Sequence, residues 1–519
     1  MNKSTGASKG LYTKLCSERD PYIRRARDAA KLTIPTIMTD EGHTGHSKLP
    51  TPYQSVGARG VNNLASALLL RLLPPNAPFF RLVIDPAALS ELEGQDQDGD
   101  IKTQIERSLS KIERSVSSEI ETQAFRVQTF EALRHLIVTG NALLHLPDEG
   151  GMRVFHLDRY VCKRDPMGNP RIIITKESVS VDLLPEAAKG LAAPSMDATS
   201  KDNAVDIYTC IKMLDDGMME VYQEINGAVV PGSKGTYPAD KSPYVVLRMN
   251  RTDGEDYGRG YVEQYIGDLR SLESLTGSIV EASAAAAKVL FLVAPNGVTR
   301  PRVLAEAPNG AIVEGSANDV SVLQLNKASD LSIAYQTTQT ISDRLSYAFL
   351  LTDSSIRNAE RVTAAEVRLV TQSIERQLGG IYSVLSQEFQ LPLVGRLMDQ
   401  MQRDQRLPEL PDELVRPAII TGVEALGRGN DLNKMDEFLV GVGQLLGPDV
   451  VNQFVNMREY MDRRAMALGL DTEGLIKSAE QVQAEYQQQQ ILQAAQQFGP
   501  QMIDTLGKQS VEEIKQQGV

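Results

Sequence analysis

The 519-residue sequence contains no tryptophan, and aromatic residues make up only 5% of it. Aromatic side chains usually supply a large share of buried area, so leucine, valine, isoleucine, alanine and methionine must do most of the packing here. Apolar residues still account for 42% of the chain and charged residues for 23%, close to ordinary globular usage. A chain of this length exceeds one hydrophobic core, and we expect two to four domains.

Cysteine is also scarce. Cys16, Cys162 and Cys210 are widely separated, odd in number and without CxxC spacing. This pattern disfavours a disulfide framework and a zinc site, and it is typical of a protein made in a reducing cytoplasm. The N-terminus lacks an apolar segment of signal-peptide length, and no stretch approaches 18 uninterrupted apolar residues, so we expect no membrane-spanning helix and no membrane partner.

Positive charge is in deficit. Lysine and arginine number 54 against 67 aspartates and glutamates, which gives a formal net charge of −13. A protein that holds nucleic acid statically gains affinity by neutralising phosphates and is usually basic. The composition argues against that class, but it is compatible with a protein whose task is to let DNA pass.

Motifs that would indicate enzymatic chemistry are missing from the sequence. There is no phosphate loop of the GxxxxGK[ST] type, and Gly57-Ala58-Arg59-Gly60 has neither the preceding strand nor the third glycine of a dinucleotide fingerprint. ATP hydrolysis is therefore not expected. We predict that the protein is not an enzyme and uses no cofactor.

The five histidines do not suggest a catalytic or metal site. His43 and His46 have HxxH spacing in a glycine-rich loop, but the neighbourhood does not supply two further ligands, so a solvated loop is the better interpretation. His135 lies on an apolar helix and is predicted to be a satisfied core histidine, while His145 and His156 have no nucleophile pattern nearby. We therefore predict no metal.

Hydrophobic periodicity predicts a helical bundle in the first 140 residues. Apolar residues recur at steps of three and four from Ile101 to Ile120, as on one face of an amphipathic helix. Further helices are expected over 8–33, 54–73 and 126–139, with a strand over 79–85.

Residues 141–250 change character. Short β-rich runs alternate there with turn signals such as Asn226-Gly227, which predicts an antiparallel sheet. Residues 185–203 are expected to form a mobile insertion. Together with the helices before and after this region, the pattern predicts an α+β fold that is mostly helical.

Two long helices are predicted after the sheet. An apolar stripe from Val262 to Ala282 predicts a helix that continues to about Leu292 and spans about 45 Å. A strand- and turn-like segment, 295–326, separates it from a second helix that we expect from about Ala328 to Leu351.

The remaining chain is predicted to be largely helical. A polar loop at 352–362 precedes a helix that a capping box at 363–366 opens and that runs to about Met401, with bends expected at Gly379-Gly380 and Pro392. Residues 417–475 are expected to be helical with glycine breaks. Residues 480–519 are rich in glutamine and should form either a helical tail or a disordered one.

Two sets of residues have more than one interpretation. The run Ala284, Ala285, Ala286 and Ala287 could reflect ordinary helix propensity, or it could allow neighbouring helices to approach closely. Arg357, Asn358 and Arg361 could belong to a solvated connection, or to a loop that projects toward a nucleic acid, because arginine donates bidentately to phosphate. The alanine run alone does not decide between its alternatives, whereas for the arginine-containing loop spacing alone favours the solvated connection.

Several segments in order along residues 10–475 resemble the portal proteins of T7-like short-tailed bacteriophages. The number and length of these segments make the resemblance specific, although the short glutamine-rich tail departs from the family. The matching segments are TPYQSVGARGVNNLASALLLRLLPP (51–75), FEALRHLIVTGNALLHLP (130–147), KGTYPADKSPYVVLRM (234–249), DGEDYGRGYVEQYIGDLRSLESL (253–275), ERVTAAEVRLV (360–370), LGGIYSVLSQEFQLPLV (378–394) and TGVEALGRGNDL (421–432).

The resemblance implies a portal, or head-to-tail connector: a dodecameric ring at one capsid vertex that forms a DNA channel for genome packaging, retention and ejection and that attaches the tail. Its subunit would have a wing, a stem, a clip and a crown. The implied division is 1–260 wing, with the β region at 141–250; 261–294 first stem helix; 295–326 clip; 327–351 second stem helix; 352–362 channel loop; 363–416 long wing helix; 417–479 crown; and 480–519 tail or short barrel.

The same resemblance implies a virion location at the capsid vertex, after synthesis in the host cytoplasm. Its implied partners are double-stranded DNA without sequence specificity, the terminase motor, the tail adaptor and tail proteins, and the major capsid and scaffolding proteins. We expect a net acidic channel with isolated cationic spots at Arg357 and Arg361, which would face the DNA together with Asn358 in the channel loop, and stem packing at Ala284–Ala287.

Two other functions compete with this one. A tail adaptor or another structural ring would share the need for assembly, but the helix–clip–helix order and the length of the chain favour the portal. A DNA-packaging enzyme is disfavoured by the missing phosphate loop and the missing cluster of metal-binding carboxylates.

Overall fold

The computed structural model describes residues 7–75, 79–84, 101–148, 150–192, 204–286, 290–323, 328–351, 378–408, 415–419 and 427–447, with five isolated positions between 455 and 488. The chain divides into two compact units, residues 1–421 and 422–519. Helices and sheets both contribute, which confirms the α+β, mostly helical class.

Four helices open the first unit, and all four lie within two residues of their predicted bounds. The buried side of the second helix follows helical spacing, from Gly57 and Gly60 through Leu64 and Leu68 to Leu72, and it packs on the fourth helix. These helices are α1 (Ala7–Lys31), α2 (Val56–Leu72), α3 (Ile101–Thr122) and α4 (Phe125–Thr139).

A two-stranded sheet joins distant parts of the first unit. Strand β1 (Phe80–Ile84) confirms the prediction for 79–85, and it pairs antiparallel with a strand at Val415–Ile419, which is β13 in chain order. The expectation that the chain is helical from residue 417 is therefore wrong for residues 417–419. Burial alternates with a period of two along Val415–Ile419. A stretch of five residues is too short for this alternation to stand out against the helical pattern around it.

The antiparallel sheet region predicted for 141–250 is confirmed as two sheets. A three-stranded sheet has the order β10-β2-β3, and a larger one has the order β4-β5-β6-β7, with β8 and β9 both paired to β7. The strands are β2 (Asn141–His145), β3 (Arg153–Phe155), β4 (Tyr160–Arg164), β5 (Pro170–Ser180), β6 (Ala204–Met213), β7 (Met218–Ile225), β8 (Ala228–Val229), β9 (Gly235–Pro238) and β10 (Tyr244–Arg248).

The predicted mobile insertion contains an ordered helix. Helix α5 (Glu186–Ala192) buries Ala188 and Ala192 in a small core with Val205 and Ile225. The prediction for 185–203 is thus wrong over this helix, because two small apolar side chains at positions i and i+4 give it a face to pack. Residues 193–203 lie outside the described residues.

Two long helices follow the sheets and pack against each other. The first was expected to continue to about Leu292, but it is described only to Ala286, and Leu290–Val293 form a strand. Leu-Phe-Leu-Val suits a strand and finds an antiparallel partner in Val320–Leu323. The elements are α6 (Tyr261–Gln264), α7 (Ile266–Ala286), β11 (Leu290–Val293), α8 (Pro301–Glu306), β12 (Val320–Leu323) and α9 (Ala328–Ala348).

The long helix after the polar loop is described from residue 378 onward. It is α-helical over 378–385, passes through a π-helical turn at Ser386–Gln390 and continues as α10 (Leu391–Arg403). In the π turn the Leu391 amide donates to the Ser386 carbonyl, five residues back. This wider turn comes directly before Pro392, which has no amide hydrogen to continue an α-helical ladder.

In the second unit, helix α11 (Gly427–Leu446) confirms helical structure within 417–475. Phe438, Val440 and Leu445 are exposed on it. The glutamine-rich tail, apart from Gln488, lies outside the described residues.

Two predicted absences can be compared with the described structure. Cys16, Cys162 and Cys210 are all free thiols, as expected. Among the described helices, none is both long and apolar enough to span a membrane.

The base of the α7–α9 pair is seated in the core of the first unit. The rings of Tyr261, Tyr265 and Phe349 pack with centroids 5.3–5.8 Å apart, and the Tyr261 hydroxyl donates to the Ala348 carbonyl at 2.9 Å. Asn63 on α2 donates to the carbonyls of Phe349 and Leu350 at 3.1 and 3.0 Å. This joint fixes where the two helices leave the core.

We predict that Gly60→Ala weakens this joint. A Cβ at Gly60 would lie 2.5 Å from Phe349 Cγ, so the substitution should displace the ring and lower the free energy of unfolding by about 1–3 kcal/mol. Gly10→Ala in α1 is the control, since nothing lies within 4 Å of its added Cβ and alanine favours helix. Thermal unfolding of both variants checks this, and equal melting temperatures would contradict the packing at Gly60.

Candidate assembly surface and channel

The N-terminal half of α7 and the C-terminal half of α9 are called the lower halves of the pair. Polar contacts hold these lower halves to each other and to the rest of the first unit. Arg344 on α9 pairs with Asp268 on α7 at 2.9 Å, and Arg270 on α7 pairs with Asp28 on α1 at 2.9 Å. The Glu273 carboxylate accepts hydrogen bonds from the backbone amides of residues 53 and 54 at 2.9 and 3.3 Å. These contacts leave the lower half of the helix pair little freedom.

The upper halves of the same helices are solvated. Beyond Gly277 on α7 and before Ile341 on α9, no side chain whose burial is described is buried. Val280, Ile333 and Tyr335 are exposed there, the last two by 64% and 62%. A helix pair with apolar side chains in water on its outer faces is an incomplete structure that another surface can complete.

The alanine run lies on this uncovered part. Ala284, Ala285 and Ala286 form the last described turn of α7, and all three are exposed. Ala287 lies outside the described residues. Small exposed side chains at this point would allow a neighbouring helix to approach closely, so the second interpretation of the run stays open and stays a prediction.

The segment between the helices, residues 290–323, has almost no core of its own. Where burial is described, over 291–321, Thr299 is the only buried residue. The apolar side chains in the segment are instead exposed: Phe291, Leu292, Val298, Val303 and Ile312.

A polar network holds this segment together in place of a core. The Asp319 carboxylate accepts from the amide and the hydroxyl of Thr299, both at 3.1 Å, and the Thr299 hydroxyl accepts from the Ser316 amide at 2.9 Å. A Cβ on Gly297 would lie 2.5 Å from Asp319 Cγ, and one on Gly315 would lie 2.6 Å from the Thr299 hydroxyl. These residues were not predicted from the sequence; the polar, glycine-rich turns at both ends were the available signal.

Helices α7 and α9 together carry a net negative charge. The two helices carry five carboxylates and two arginines, and both arginines are already in ion pairs. Glu281 and Asp330 are exposed on the upper halves. On the described parts of α7 and α9, therefore, neither arginine is left without a carboxylate partner.

The predicted DNA-facing residues Arg357, Asn358 and Arg361 lie outside the described residues. Within the part of the chain that the structure describes, no group of three or more histidines, cysteines and carboxylates could hold a metal ion. His135 is buried as predicted, but its Nδ1 has no hydrogen-bond partner there, so it is not a satisfied core histidine.

Comparison with known proteins gives a consistent result. Residues 5–476 match the family model of the bacteriophage head to tail connecting protein. The portal protein of Escherichia phage T7 is 42% identical over 488 residues, covering 93% of this chain and 90% of its own length. That of Pseudomonas phage phiKMV is 32% identical over 499 residues, covering 95% and 96%.

Solved structures give a weaker likeness. One is a chain from the neck of an empty gene transfer agent particle, computed with C6 symmetry. It is 13% identical to this protein, and the match covers 80% of this protein and 90% of the neck chain. Its TM-score of 0.41 is too low to carry an argument about this protein.

We predict that Asp319→Ala loosens residues 294–319. The substitution leaves the Thr299 amide buried without its acceptor, at a cost of about 1.5–3 kcal/mol, so amide hydrogen exchange at Thr299 should become roughly tenfold faster or more. Asp330→Ala is the matched control, because Asp330 is exposed on α9. Unchanged exchange in the Asp319 variant would show that the network does not hold the segment.

Proposed function

The chain belongs to the bacteriophage head-to-tail connecting protein family, and on that basis we propose that it acts as a portal subunit. Copies of it form a ring-shaped DNA channel at a unique capsid vertex, through which the genome is packaged, retained and ejected and to which the tail attaches. The resemblance found in the sequence is confirmed by relatives that are themselves portal proteins.

The observation that carries the assembly mechanism is the uncovered apolar surface of α7, α9 and residues 290–323. In a closed ring each subunit has two neighbours that meet through different surfaces, and closure prevents open filaments. Neighbours can therefore bury what one chain leaves in water. A monomer would have to keep Phe291, 61% exposed, and Ile333 solvated.

Within this proposal the helix pair is the stem and the segment between the helices is the clip. The described stem helices are α7 and α9, and α8 and β12 lie in the clip, residues 295–326. Strand β11 lies within 261–294, the range assigned to the first stem helix, and pairs with β12 of the clip. The remaining assignments are residues 1–260 for the wing, 352–362 for the channel loop, 363–416 for the long wing helix, 417–479 for the crown and 480–519 for the tail or a short barrel. At the boundary between the long wing helix and the crown, Val415–Ile419 are a strand paired with β1 of the wing.

The proposal extends to copy number and partners. We propose twelve copies per ring, contacting double-stranded DNA, the terminase motor, the tail adaptor and tail proteins, and the capsid and scaffolding proteins. The ring would be a virion component made in the host cytoplasm, and its subunit would have a structural rather than a catalytic task.

The charge of the two stem helices suits a channel through which DNA moves. Helix α7 has 21 residues and so spans about 31 Å, a length over which duplex DNA presents roughly 18 phosphates. An array of unpaired cations along that length would hold the duplex, whereas the two stem arginines are already neutralised by carboxylates. An acidic stem with paired cations keeps friction low.

We predict that Ala285→Leu prevents or distorts ring closure, because the larger side chain lies on an exposed turn that neighbouring copies must approach. Ala239→Leu, at an exposed turn after β9, is the control and should assemble normally. Electron microscopy of the purified proteins distinguishes them. If both variants give the rings of the unmodified protein, the alanine turn is not at the subunit interface.

We predict that Arg357→Gln combined with Arg361→Gln reduces retention of packaged DNA. Each arginine lost removes charge-assisted hydrogen bonds to phosphate worth about 1.5–3 kcal/mol, so the escape rate should rise by roughly tenfold or more. The control replaces both with lysine, which keeps the charge. The packaged genome content and the rate of genome loss are measured in purified particles. If the glutamine variant retains DNA as well as the unmodified protein does, Arg357 and Arg361 do not face the DNA in the channel.

A further inference from the structure

A polar cleft of about 760 Å³ lies on the first unit, and none of its lining residues belongs to α7, α9 or the clip. It is bounded by α1, the loop at 36–43, α4 and the turn at 156–159. Its volume falls within the range of ordinary ligand sites, about 300–1,000 Å³. The proposed portal role uses none of these residues.

The cleft brings together three histidines that are far apart in the sequence. His135 and His156 stack with ring centroids 5.9 Å apart and planes 11° apart, and His43 lies on the opposite loop. His156 is paired with Asp158. Burial, with smaller effects from His156 and Arg134, lowers the pKa of His135 to about 4, so this ring is neutral at pH 7 and can both donate and accept a hydrogen bond.

Apart from His156 Nδ1 and Asp158 Oδ1, which contact each other, two buried polar atoms of the cleft residues have no partner among the described residues. His135 is only 7% exposed, yet its Nδ1 makes no hydrogen bond. Arg19 donates through Nη1 to the carbonyls of Leu157, Asp158 and Tyr160 at 3.2, 2.9 and 2.7 Å, but its buried Nε is left unpaired. Each such atom costs the folded chain about 1–3 kcal/mol.

Charges of both signs surround the cleft without pairing. No described residue forms an ion pair with any of six lining side chains, of which three are basic and three acidic. The six side chains are Arg24, Arg27, Arg159, Asp20, Glu41 and Glu131.

A mixed lining selects among ligands. Duplex DNA and free phosphate would pair with the three arginines but leave the three carboxylates unpaired, and a purely acidic or purely basic peptide would likewise leave half of the charges unpaired. A polypeptide with both signs complements the whole lining. We infer that this cleft binds an extended segment of another protein in which acidic and basic side chains alternate.

The test uses the full-length assembled protein and a fluorescent probe peptide, N-acetylated, with three alternating glutamate–lysine pairs flanked by glycine. Fluorescence anisotropy should show saturable binding at low ionic strength. Arg27→Gln combined with Arg159→Gln should weaken the affinity about tenfold or more, a loss of about 1.4 kcal/mol. Arg302→Gln is the control, because this arginine is exposed in the clip beside Glu306 and should leave binding unchanged.

Competition identifies the ligand class. An all-glutamate peptide of the same length, a short DNA duplex and inorganic phosphate should each displace the probe at least about tenfold less well. The inference is overturned if the mixed peptide does not bind, if it binds equally to the cleft and control variants, or if DNA or phosphate binds with the same dependence on Arg27 and Arg159. Thermal unfolding of each variant shows that the fold is retained.

Discussion

Apolar side chains of α7, α9 and the segment between them are exposed to solvent. This exposure is the constraint on which the rest of the structure depends. Burying a large apolar side chain gains about 1.5–3 kcal/mol, and Phe291, Ile333 and Tyr335 do not obtain that gain within one chain. The lower halves of the same helices are fixed by Tyr261, Phe349 and their neighbours. The chain thus presents a rigidly anchored surface whose completion must come from outside it.

The division between anchored and uncovered parts suits a ring that surrounds a moving polymer. Neighbours that cover the helix sides would fix the bore without requiring any subunit to grip DNA. Ion pairs such as Arg344–Asp268 would serve both needs, because they hold α7 and α9 together and neutralise cations that could otherwise hold phosphate. The segment between the two helices is built differently, with the Asp319–Thr299 network taking the place of a core.

Most helices could be predicted from sequence because long apolar periods carry them. The helix over 101–122 and the pair starting near Val262 and Ala328 are examples. Local sequence patterns did not predict the strands that form through pairing with distant residues. Residues 417–419 are a strand because they pair with β1, and Leu290–Val293 are a strand because they pair with Val320–Leu323. The assembly surface was indicated only through the family resemblance, since exposure of Phe291 depends on tertiary structure. The cleft was not predicted, because His43, His135 and His156 meet only in the fold.

The central claim is that neighbouring copies bury the stem and clip surfaces, and hydroxyl-radical footprinting tests it most directly. Oxidation of Phe291 and Tyr335 is compared between assembled protein and unassembled subunits, with Met167, which is exposed on the β4–β5 turn, as the internal reference. We expect both aromatic residues to be strongly protected in the assembly while Met167 reacts equally in the two states. Equal oxidation of Phe291 and Tyr335 in both states would contradict this account.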